Sequence, residues 1–275
     1  MRMTQMTAFG FIIAFAMEFQ AAAIGATEPV IRELPGPENN PAIACAVYAP
    51  DANFKGTPGL VVHLYGSGGT LKPNEYNVGQ PSYAEFRKVL AARGMWLVVP
   101  DLGRSHWMSD AACSQVDAVI AAMIQQEKVD PARVHLLGTS MGGGSSLIYV
   151  MRRPGKIKSV VSVFPMTDFT RWLEERPGYR PAVEAAHHVT NANRAEALKS
   201  ISPLQHPAAF RKTRVFLLHG GKDTVVKPEH SRDFAAALQA IDCPVIYREA
   251  ADETHRDEIA QTYQQELADF LTKSE

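Results

Sequence analysis

Three residues have the types and the placement to carry out acyl transfer: Ser140, Asp223 and His255, in that order along the chain. Ser140 lies in Gly138-Thr139-Ser140-Met141-Gly142-Gly143, which fits the G-x-S-x-G pattern of a nucleophile on a sharp strand-to-helix turn. A hydroxyl is a weak nucleophile until a base takes its proton, and an imidazole serves best as that base when a carboxylate orients it. Asp223 follows the apolar run Val215 to Leu218, and His255 follows Val245 to Tyr247. Asp168, after the run Val160 to Phe164, competes for the orienting role, whereas Asp252 and Glu253 are too near His255 in sequence to approach its ring. A glycine-rich helix start also has the composition of a phosphate cradle, so the serine motif alone leaves two chemistries open.

The oxyanion of a tetrahedral intermediate needs fixed donors. The amide of Met141 is one candidate, and Ser67, in Tyr65-Gly66-Ser67-Gly68-Gly69, is the second; a plain tight turn is the alternative for that stretch. Gly142, Gly143 and Gly144 each cost a helix about 1 kcal/mol relative to alanine. Close approach to the sheet is the expected compensation. Neither H-E-x-x-H nor Cys/His pairs with metal spacing occur, so no metal and no other cofactor is expected.

Short apolar runs without alternation recur at Leu60 to Leu64, Met95 to Val99, Val134 to Leu137, Val160 to Phe164, Val215 to Leu218 and Val245 to Tyr247. They predict strands buried on both faces. Between them, helical spacing marks Tyr83 to Arg93 after an N-cap at Ser82, then Val116 to Ile124, Phe234 to Ile241 and Ile259 to Leu271. Strand alternating with helix predicts an α/β fold with a mostly parallel central sheet, helices on both faces, and the chemistry beyond the strands' carboxyl ends. Val30 to Leu34 and Ile43 to Tyr48 read as edge strands. Residues 169–209 are too many for a plain crossover and predict a small lid insertion carrying Trp172 and His187-His188. His106, Trp107, Tyr65 and Trp172 are the substrate-binding candidates; for His106 and Trp107 local packing is the alternative reading. Glu174-Glu175 suits either a substrate amine or plain solvation.

With 275 residues, 46% of them hydrophobic, the chain has the means for a full core. The 28 Lys and Arg against 29 Asp and Glu give a formal net charge of -1, which argues against nucleic acid and polyanionic partners. Residues 1–26 read as an export signal, with Arg2 before the apolar stretch Ala8 to Met17 and small residues at Ala21-Ala22-Ala23 and Ala26. A membrane anchor is the alternative, but Glu18 and Gln20 end the stretch well short of a span. A periplasmic or secreted protein without a stable membrane span is expected, with residues 27–275 as its one domain. Cys45, Cys113 and Cys243 allow three pairings and leave one thiol over.

From Leu60 onward the chain resembles the catalytic domain of the prolyl oligopeptidase group and related small exported carboxylesterases, within the α/β-hydrolase superfamily. Tyr65-Gly66-Ser67-Gly68-Gly69 is similar to that group's Y-G-Y-G-G, Gly138 to Gly143 to its G-x-S-x-G-G, and Met166-Thr167-Asp168-Phe169 to its V-T-D-W. Ser202-Pro203-Leu204 is similar to its S-P-L, and His219-Gly220 through Asp223 and Val226 to its H-G-x-x-D-x-x-V. The resemblance implies the α/β-hydrolase fold with Ser140, Asp223 and His255 as triad. Two departures stand out: Ser67 replaces an oxyanion-binding tyrosine, and Thr139 precedes the nucleophile where Trp or Asn is usual. Residues 27–59 are also too few for the propeller of the peptidases. On these departures the expected activity is a serine carboxylesterase acting on small-molecule or carbohydrate esters, such as acetyl or feruloyl esters of plant polysaccharides. A prolyl oligopeptidase-type peptidase and a non-catalytic binding protein are the alternatives.

Overall fold

In the computed structural model the described residues are 28–38, 40–69, 71 and 81–273; the expected export signal lies outside them. Their apolar runs pair into one sheet of eight strands: β1 (Val30–Leu34), β2 (Ile43–Tyr48), β3 (Gly59–Leu64), β4 (Met95–Pro100), β5 (Val134–Thr139), β6 (Ser159–Val163), β7 (Arg214–Gly220) and β8 (Val245–Ala250). The spatial order is β1-β2-β4-β3-β5-β6-β7-β8. β2 is antiparallel to both its neighbours, and every pairing from β4 to β8 is parallel. Only β1, not β2, is an edge strand at that end, because β2 is bonded on both sides. β3, β4, β5 and β6 are buried along their whole lengths, which is why their sequences are largely apolar without strict alternation.

Helices α1 (Ala84–Ala92), α2 (Asp110–Glu127), α3 (Met141–Arg152), α4 (Phe169–Glu175), α5 (Arg180–Ala186), α6 (Arg194–Ser200), α7 (Glu229–Gln239) and α8 (Ile259–Thr272) cover the two faces. Ser82 does not cap α1: it sits in a 3-10 turn, Pro81–Tyr83, and Tyr83 precedes the helix without a side-chain cap bond. α2 is longer than its apolar spacing indicates, because Ser109 caps it by accepting from the Ala112 amide at 3.3 Å.

Residues 169–210 fold as α4, α5 and α6 with three 3-10 turns, each opening on a proline. This stretch is fastened to the rest by aromatic contacts. The Trp107 ring lies 5.4 Å from Trp172 and 5.8 Å from Tyr179, and Trp172 lies 5.0 Å from Tyr179. Cys45, Cys113 and Cys243 are all buried and free, so none of the three possible disulfides forms. No helix among the described residues is long and apolar enough to cross a membrane.

Candidate active site

β5 delivers Ser140 into the turn before α3 with φ 56° and ψ -117°, a conformation that costs a non-glycine residue free energy. The turn is held from outside. The Ser140 amide donates to Val163 O at 2.9 Å, and the Gly144 amide donates to Ser140 O at 3.1 Å. The flanking glycines make room: a Cβ on Gly138 would fall 2.1 Å from Gly142 O, and one on Gly142 would fall 1.9 Å from Leu64 O. Behind the nucleophile, the Tyr83 hydroxyl and Thr139 Oγ1 are 2.8 Å apart in a buried contact.

β7 and β8 are parallel neighbours, with His219 opposite Glu249 and Gly220 opposite Ala250, so the loops that follow them emerge side by side. Those loops are bonded to each other: the Gly221 amide donates to Ala250 O and the Lys222 amide to Glu253 O, both at 2.8 Å. A side chain on Gly220 would meet Glu253 O at 2.5 Å, so the close approach of the two loops requires glycine there. The result joins Asp223 to His255. His255 Nδ1 lies 2.6 Å from Asp223 Oδ2, and His255 Nε2 lies 2.9 Å from Ser140 Oγ.

The Asp223 side chain has no exposed surface. Its Oδ1 accepts from the amides of Val225 at 2.8 Å and Val226 at 3.0 Å. Burial alone would raise its pKa, but the N–H groups of His219, His255 and Val226 that face it outweigh burial and hold it well below the usual carboxylate range. An ionised carboxylate facing Nδ1 places the imidazole hydrogen on Nδ1 and leaves Nε2 to accept from the serine. Phe164 forms one wall. It takes φ 47°, and its ring centre is 4.6 Å from that of His255, of which only 16% of the side chain is exposed.

Ser67 is exposed in the turn beyond β3, where the Gly68 amide donates to Arg104 O at 2.9 Å and the Gly69 amide to Gly66 O at 3.1 Å. Because Leu64 pairs with Gly138, this turn and Ser140 leave the sheet at the same end. The Met141 amide opens α3, where helix geometry supplies no intrahelical acceptor. Asp168 stands apart from the histidine; it caps α4 by accepting from the Arg171 amide at 3.1 Å.

The four substrate-binding candidates all lie inside the structure, which for His106 and Trp107 accords with the packing alternative. Tyr65, Trp107 and Trp172 are at most 1% exposed and His106 is 5% exposed. The Tyr65 hydroxyl accepts from the Leu102 amide at 2.9 Å and so ties the Ser67 turn to the loop after β4. His106 Nδ1 accepts from the Met108 amide at 3.2 Å. Burial, reinforced by the Arg152 charge, lowers His187 to about 4, and its Nε2 lies 2.8 Å from Trp107 O. Glu174 is exposed, while Glu175 Oε1 lies 3.1 Å from Lys227 Nζ. Among the described residues no group of three or more His, Cys, Asp and Glu side chains is placed to hold a metal ion.

A serine on a strained strand-to-helix turn, reached by an imidazole that a buried carboxylate holds, at the end of a mostly parallel sheet, defines the α/β-hydrolase fold of serine hydrolases. The chain belongs to the prolyl oligopeptidase family, whose model matches residues 84–274. No curated protein matches it in sequence. Among solved structures it is similar to a Mycobacterium tuberculosis puromycin-hydrolyzing peptidase, with 21% identity, a TM-score of 0.72, and coverage of 89% of this chain and 40% of that one. It is also similar to a puromycin hydrolase, with 18% identity, a TM-score of 0.73, and coverage of 89% and 39%. A third likeness is to a Pyrococcus horikoshii acylaminoacyl peptidase, with 13% identity, a TM-score of 0.70, and coverage of 90% and 42%. The chain thus spans about two fifths of the length of these proteins.

Proposed function

We propose that Ser140, His255 and Asp223 are the catalytic triad of a serine peptidase that cleaves amino-acid amides and short peptides through an acyl-enzyme. The observation that carries this reading is the pair of contacts joining Ser140 to Asp223 through His255, at 2.9 and 2.6 Å. Ser140 Oγ attacks the acyl carbon while its proton passes to His255 Nε2, and Asp223 offsets the charge on the imidazolium. The oxyanion is assigned to the amides of Met141 and Ser67. His255 then returns the proton to the leaving amine, and water repeats the cycle on the acyl-enzyme. Family membership supports amide over ester chemistry, as do relatives named for puromycin hydrolysis and for acylaminoacyl peptidase activity.

A second reading, the carboxylesterase, is favoured by Ser67, which stands where the resembling peptidases carry an oxyanion-binding tyrosine. Wild type and Ser140→Ala are to be compared on aminoacyl and N-acylaminoacyl p-nitroanilides and on acetyl and feruloyl p-nitrophenyl esters. The peptidase reading expects anilide turnover that falls about a thousand-fold or more in Ser140→Ala. Turnover of esters alone decides for the second reading, and full activity of Ser140→Ala overturns both. Export by residues 1–26 belongs to the same proposal: the exported protein is expected to begin at Ile24 or Thr27, and a retained Met1 would contradict it.

A further inference from the structure

Asp223 is held by a second imidazole that the catalytic cycle above does not use. His219, the next-to-last residue of β7, is fully buried; its Nε2 lies 2.9 Å from Val226 O and 3.4 Å from Asp223 Oδ2. Its Nδ1 lies 2.7 Å from Oγ of Ser231, a residue of α7 that is also fully buried. Two acceptors face Nε2, so Nε2 carries the hydrogen, and Nδ1 accepts the hydroxyl hydrogen of Ser231. The Nε2 hydrogen is bonded to Val226 O, and Oδ2 of Asp223, bonded to Nδ1 of His255, has that N–H dipole beside it as a longer electrostatic contact at 3.4 Å. Phe164 lies against both rings, 4.6 Å from His255 and 6.0 Å from His219 between ring centres, and walls this corner with hydrocarbon.

We propose that His219, oriented by Ser231, is a positioning residue of the reaction: it fixes the Asp223 carboxylate and moderates the pull of Oδ2 on His255. The inference rests on the triad reading above. Without the Nε2–H dipole beside it, more of the negative charge on Oδ2 faces His255 and favours its protonated form. The acid limb of kcat/KM therefore moves upward while KM stays. The other titratable groups facing His219 are His230, from α7, and Glu249, from β8. Both stay in place in the variants below.

The test is the pH profile of kcat/KM for wild type, His219→Phe, His219→Gln and Ser231→Ala, with circular dichroism as the check on folding. His219→Phe keeps ring volume and removes both nitrogens, whereas glutamine restores a donor near the position of Nε2. The expected result is a fall in kcat of about ten-fold or more for His219→Phe, an acid limb displaced upward, and an unchanged KM. His219→Gln is expected to recover most of the rate and the wild-type limb. A folded His219→Phe with an unmoved limb overturns the proposal, as does a glutamine variant no better than phenylalanine. Should His219→Phe not fold, Ser231→Ala decides: its limb shifts the same way, and an unmoved limb overturns the proposal. Loss of activity in Ser140→Ala with an unmoved limb in these variants refutes the positioning role alone; activity in Ser140→Ala refutes the triad reading itself.

Discussion

A Cβ on Gly142 would sit 1.9 Å from the carbonyl oxygen of Leu64, so the first turn of α3 rests directly on the end of β3. That contact sets the distance between the nucleophile turn and the Ser67 turn, which begins with the next residue, Tyr65. The apparent waste of three glycines in one helical turn has this cause, since Gly143 approaches Val163 O and Gly144 approaches the Met166 side chain in the same way.

Gly142→Ala must push α3 off the sheet, because the obstructing atom is backbone. A loss of about 3 kcal/mol is expected, the upper end of overpacking costs, together with most of the activity. Gly144→Ala meets Met166 Sδ, on a flexible side chain, and is expected to lose only about 1 kcal/mol, the lower end of overpacking costs. Urea unfolding of the two variants measures the difference; equal costs would contradict the account.

Asp223 makes stability depend on pH. Its folded-state pKa lies below its unfolded value, so its contribution is present in full above the unfolded pKa and is lost as pH falls toward the folded one. The stability difference between wild type and Asp223→Asn is therefore expected to narrow as pH falls below about 4. Denaturant unfolding from about pH 5 downward gives the comparison, and a gap that widens as pH falls below about 4 would contradict the assignment.

All three thiols are buried. Burial pushes Cys45 up to about 12 and also raises Cys113 and Cys243, so thiolate is scarce at neutral pH. The native protein is expected to react negligibly with a disulfide reagent at pH 8, and all three cysteines to react after denaturation without reductant. A single reactive thiol under those conditions would reveal a disulfide that the structure does not contain.

The strands and the order of the chemical groups were legible because a sheet covered on both faces demands uninterrupted apolar runs, and the residues just past them are where such a sheet exposes chemistry. Ser140, Asp223 and His255 are all found by that rule. Contacts that join distant segments were not legible. His106 and Trp107 read equally as open or packed, and the contacts of Trp107 with Trp172 and Tyr179 come from the distant stretch 169–210. His230 sits in the polar stretch Glu229-His230-Ser231-Arg232 yet is fully buried, because its Nδ1 accepts from the amides of Thr167 and Asp168. Phe164 reads as the last residue of an apolar strand; instead the strand ends at Val163, and Phe164 turns into the left-handed region to meet His255. His219 was visible as part of a motif, but its contact with Asp223 depends on how the chain folds back after β7.

The most direct test of the central claim is covalent capture of Ser140 by a phosphonofluoridate, which phosphonylates an activated serine with loss of fluoride. Mass spectrometry of the tryptic peptide Val134 to Arg152 is expected to show one adduct at Ser140, growing in step with the loss of activity and absent from Asp223→Asn over the same interval. Full activity after complete modification of Ser140, or inactivation with the adduct on another residue, would contradict the account.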